Sequence, residues 1–164
     1  MKFFTSYLHF CLFFQVLLFT GATPWARAVA GAVYMLLADG HLPHLGGGVT
    51  IAYSSDIEPD AGLGATSAVV VAALQTLCGL YDLSLSPQVR AQLALDAVRS
   101  IDGGTDDAGT ALTCLLAAPG TLLQVRCQRQ DLLGPLVLPE DVKVVGIDSG
   151  VRQDIHDKHA DTRV

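Results

Sequence analysis

A β-branched run, Val49 to Ser54, leads through glycines at 62 and 64 into a long apolar stretch, Ala65 to Leu80. The pattern predicts a strand, a tight turn and a helix. Such a turn offers unpaired backbone N–H groups and the positive end of a helix dipole to an anion. Glycine lets the backbone approach a phosphate without a Cβ in the way. The hydroxyls of Thr66 and Ser67 fall in the first helical turn, where they can add hydrogen bonds or an oxygen to a magnesium ion. The physical reading of Gly62, Leu63, Gly64, Ala65, Thr66 and Ser67 is a phosphate-binding loop. It is not a Walker A loop, because no lysine follows the glycines. On glycines alone, a tight turn with no ligand is the commoner outcome.

The rest of the chain intermixes helices and strands without strict alternation. Thr23-Pro24-Trp25 opens a helix to about Leu37, with Thr23 placed to cap it and Pro24 at the first position. Val29, Val33 and Leu36 recur at helical spacing, and Asp39-Gly40 ends the run. Ser86-Pro87 starts the next helix, Gln88 to Ser100, which buries Val89, Leu93 and Val98 or their neighbours. Asp102 to Asp107 is a polar loop before a short helix, Ala108 to Leu116. Thr121 to Cys127 reads as a strand, followed by a loop to Pro139 and a strand Val142 to Ile147. Asp148-Ser149-Gly150 is a turn, and Arg152 to Val164 is a polar, frayed tail. The alanine-rich helices suit close packing into one layer, so the fold class is α+β.

Composition excludes some functions. The chain has 164 residues and a net charge of −6, with lysine only at 2, 143 and 158, so a nucleic-acid partner is disfavoured. Cys11, Cys78, Cys114 and Cys127 lack zinc-site spacing. Cys78 and Cys114 fall in apolar helical stretches and read as buried thiols. His41 and His44, and likewise His156 and His159, read as solvent-exposed loop and tail histidines. Residues 1–22 form a hydrophobic leader: Lys2 precedes the apolar stretch Leu8 to Phe19. It reads either as a secretory signal peptide or as a misplaced start outside the fold. The remainder divides into a domain at 23–155 and a polar tail at 156–164.

The segment Gly62-Leu63-Gly64-Ala65-Thr66-Ser67-Ala68, with Pro59 ahead of it, resembles the ATP-binding motif of the GHMP kinases. Leu122 to Cys127 and Val144 to Arg152 resemble further segments of the galactokinase and L-arabinokinase branch, in the same order and spacing. The resemblance covers about Pro24 to Arg152. It implies a two-layer α/β sandwich of the ribosomal-protein-S5 domain 2-like type. It also implies phosphoryl transfer from ATP and Mg2+ to a monosaccharide hydroxyl, with the loop around the phosphates and Thr66 or Ser67 helping to hold magnesium.

Departures from the family pattern accompany the match. The loop is one residue shorter than usual between Pro59 and Gly62. An ungapped count puts Thr110-Ala111 where the branch has an Asp-Gln pair, and threonine lacks a carboxylate's capacity to accept a proton. Asp107 is the nearby substitute as catalytic base; the bland reading has Asp106 and Asp107 capping the helix at Ala108. A glutamate usual on the preceding helix falls near Val98. Neither the branch's N-terminal sugar-binding segment nor its C-terminal domain is represented, so a second chain covering an exposed apolar face is an expected partner, alongside nucleotide and a small sugar. These departures imply weak or absent activity in this chain alone. The alternative is a non-catalytic secreted or membrane-associated interaction domain with a degenerate phosphate loop. Localisation follows the same division: cytoplasmic by the kinase resemblance, secreted if residues 1–22 are a true signal peptide.

Overall fold

The computed structural model describes residues 23–45, 49–58, 61–102, 108–126 and 131–150. Among the described residues four helices come first: α1 Pro24–Ala38, α2 Ala65–Leu80, α3 Pro87–Asp102 and α4 Ala108–Leu116. A hairpin of β1 Thr121–Arg126 and β2 Asp131–Val137 follows. The architecture is α+β, with a helical layer and a small antiparallel sheet. The leader and the tail lie outside the described residues. Among the described residues, no helix is long and apolar enough to cross a membrane.

Local chemistry accounts for the helix ends. Thr23 does not cap α1 with its side chain, contrary to the sequence reading. Its carbonyl instead accepts the Arg27 N–H at 3.1 Å, while Pro24 takes the first position. Gly40, at φ +73°, closes the other end, its N–H donating to the Leu37 carbonyl. Ser86 does cap α3: its Oγ accepts the Val89 N–H at 3.3 Å.

The core is the helical layer. Helices α1, α2 and α3 pack on one another, and α4 lies against α2 and α3. Leu36, Val70, Leu74, Leu93 and Val98 are among the buried side chains, each worth about 1.5–3 kcal/mol on removal from water. Small residues set the spacing. A Cβ on Gly31 would stand 3.2 Å from Ile101 Cδ1 and 3.4 Å from the Ala97 carbonyl oxygen, so α1 and α3 approach closely because Gly31 has no side chain.

Four sequence expectations need correction. Residues 49–54 form no strand. Within this segment Ile51 packs on the core and Tyr53 stacks on Trp25. Residues 142–147 likewise have no strand partner among the described residues and are exposed. An alternating apolar pattern makes a strand only where another strand supplies the ladder hydrogen bonds. Conversely, β2 forms within the stretch up to Pro139 expected to be a loop. Both strands of the hairpin are edges, where proline is tolerated. Gly134, at φ +122°, sits at an irregularity where the register passes from Gln124↔Gly134 to Val125↔Leu132. Finally, Cys114 is exposed, whereas Cys78 is buried as expected. The inward stripe of α4 runs through Ala111, Leu112 and Leu115 and leaves position 114 outside it.

Candidate functional site

The glycine loop is built from two left-handed residues. Gly62 has φ +75° and Gly64 has φ +69°, a conformation that costs a residue with a Cβ about 1–2 kcal/mol. Gly64 is the N-cap of α2, with no side-chain cap hydrogen bond. Its carbonyl accepts the first intrahelical bond, from the Ala68 N–H at 2.9 Å. The amides of Ala65 and Thr66 therefore stand ahead of the ladder, at the positive end of a 16-residue helix. An acidic side chain is absent from that first turn, so no carboxylate there competes for an anion.

The six loop residues divide by exposure. Gly62 is open, with nothing within 4 Å of where a Cβ would stand. Leu63 is 68% exposed, and Ala65 and Thr66 are half-buried. Ser67 is 1% exposed and is the one buried polar side chain among the described residues. Its hydroxyl thus belongs to the helical layer, not to the open side of the turn. The fit to a phosphate is a backbone fit: open space over Gly62, left-handed glycines and upstream amides. For a metal, Thr66 supplies a half-buried hydroxyl. Among the described residues no group of three His, Cys, Asp or Glu side chains converges.

The structure brings Thr110 to the same place. A Cβ built on Gly64 would stand 2.7 Å from Thr110 Cγ2, closer than real Cβ contacts. The first turn of α4 therefore abuts the loop. Thr110 is the position counted as lacking the family's aspartate, and local sequence carries no signal of its nearness to Gly64. Asp106 and Asp107, with Pro59, lie outside the described residues. The stacked pair Trp25 and Tyr53, with centroids 5.9 Å apart and planes 11° from parallel, was also not legible in the sequence. It ties the segment approaching the loop to the start of α1.

Other reactive groups have structural explanations. Asp148 Oδ1 accepts the Gly150 N–H at 2.8 Å, forming the expected turn. Burial pushes the Cys78 thiol pKa up, while the nearby Arg90 charge pulls it down.

Comparison with known proteins identifies the family. The family described as the GHMP kinases N terminal domain matches residues 27–114, spanning the loop, α2, α3 and most of α4. The chain is similar to L-arabinokinase of Arabidopsis thaliana, at 26% identity over 134 residues. That match takes in 82% of this chain but only 13% of the relative. No solved structure matches significantly. With the family match covering more than half of its length, the chain belongs to the GHMP kinases through their N-terminal domain.

Proposed function

We propose that this chain binds ATP with Mg2+ on the Gly62–Ser67 turn, as part of a sugar-kinase module acting on a monosaccharide hydroxyl. The observation that carries it is the pair of left-handed glycines opening onto the uncapped start of α2. The similarity to L-arabinokinase supports a sugar as acceptor.

The backbone of Gly62, Leu63, Gly64 and Ala65 would surround the phosphates, and Thr66 would hold magnesium beside them. Ser67 anchors the helix start to the core. Magnesium, when bound, neutralises phosphate charge. Asp107 is the residue proposed to accept the sugar hydroxyl's proton in place of the aspartate missing at Thr110. Transfer by this chain alone is weak or absent, and a second polypeptide is the proposed partner for its exposed apolar surface. The finer architecture proposed is the S5-like two-layer sandwich.

Calorimetric titration of the full chain with ATP and Mg2+, against Gly64→Val, tests the reading. Saturable binding in the wild type and none in the variant is expected. No heat from a demonstrably folded wild type overturns it. A panel of monosaccharides then tests turnover.

A further inference from the structure

We infer that Thr110 is a positioning residue for the glycine loop: its γ-methyl, seated against Gly64, holds that residue in its left-handed conformation. The loop has one open end and one closed end. Over Gly62 nothing lies within 4 Å of a notional Cβ, whereas over Gly64 Thr110 Cγ2 lies at 2.7 Å. Gly64 is also the hinge between turn and helix, since its carbonyl starts the α2 ladder.

Thr110 is well placed to hold that hinge. It lies in the first turn of α4, which packs on both α2 and α3. Threonine in a helix has two favoured χ1 rotamers, and the one adopted here turns the methyl onto Gly64. If Gly64 rotates out of φ +69°, the upstream amides of Ala65 and Thr66 turn with it. Backbone donors that bind a charged group must be held to fractions of an ångström. The functional consequence rests on the reading of this loop as a phosphate site; the clamp itself does not.

The test compares two full-chain variants without ligand. Thr110→Ser removes the methyl and keeps the hydroxyl; Thr110→Val keeps a methyl and removes the hydroxyl. The readout is NMR shifts at Gly62, Gly64 and Ala65 and amide exchange at Ala68, whose N–H donates to the Gly64 carbonyl, with melting temperature as a control for global loosening. Thr110→Ser should speed exchange at Ala68 by about fourfold, the equivalent of one buried methyl group, and shift the Gly64 resonances, at nearly unchanged melting temperature. Thr110→Val should restore wild-type exchange. Wild-type exchange and shifts in Thr110→Ser overturn the clamp, and so does loosening in Thr110→Val equal to that in Thr110→Ser. Titration with ATP and Mg2+ is separate. A loosened Gly64 in a chain whose wild type binds no ATP defeats the nucleotide reading and leaves the clamp standing.

Discussion

The helical layer and the hairpin with its trailing segment are both rich in valine and leucine, yet only the first is dry. Leu36 and Leu74 are wholly buried, while Val145 is 74% and Ile147 88% exposed. The difference is one of neighbours. Each of α1, α2 and α3 has the other two to pack on, and Gly31 and Ala97 let α1 and α3 close up. The hairpin meets the layer chiefly where β1 lies against α4, and 142–147 has no strand beside it among the described residues. Hydropathy therefore states a preference for burial, and topology decides whether it is met. The glycine loop lies at the edge of the first region, where a rigid layer can position it.

Substitutions can break or sharpen this contrast. The largest effect is expected in the layer: Leu74→Ala should lower unfolding free energy by about 2–5 kcal/mol, measured by urea denaturation. Val145→Ser should change it by less than about 0.5 kcal/mol. Equal effects at the two positions would show that 142–147 is packed after all.

Overpacking the close crossing comes next. Gly31→Val should cost about 1–3 kcal/mol, because the Ala97 carbonyl cannot move aside as the Ile101 side chain can. Gly64→Ala should cost about 1–2 kcal/mol from its left-handed backbone alone, with loss of ATP binding as the sharper readout by calorimetry.

A smaller effect is expected at Cys78. Folding raises its pKa by burial, so the contribution of the protonated thiol is complete below the ordinary thiol value of about 8.5. It is lost as pH rises through the folded-state value. Wild type should therefore lose stability faster than Cys78→Ala on the alkaline side, and the gap between them should narrow. Smallest in stability terms, alkylation with peptide mapping should modify exposed Cys114 before buried Cys78; reversal of that order would contradict the inward stripe of α4.

Much of the helical layer was legible because helix signals are local. Pro24, Ser86-Pro87 and Asp39-Gly40 mark ends by their own backbone chemistry, and apolar spacing marks the inward faces. The phosphate-loop residues were legible for the same reason, since left-handed turns select glycine at 62 and 64. The strands were less so. Val49 to Ser54 and Val142 to Ile147 carry strand-like composition, but a ladder is a property of two segments. In the stretch up to Pro139 the expectation was a loop, whereas an edge position accommodates a strand.

By itself the sequence determined the four helices, the α+β class and the family, because these rest on propensity, caps and a contiguous motif. Only the tertiary structure decided that Thr110 closes over Gly64, that Ser67 faces the core, that Tyr53 stacks on Trp25 and that Cys114 faces outward. Those facts depend on which helix faces come together across long stretches of chain, and no local pattern encodes such a meeting.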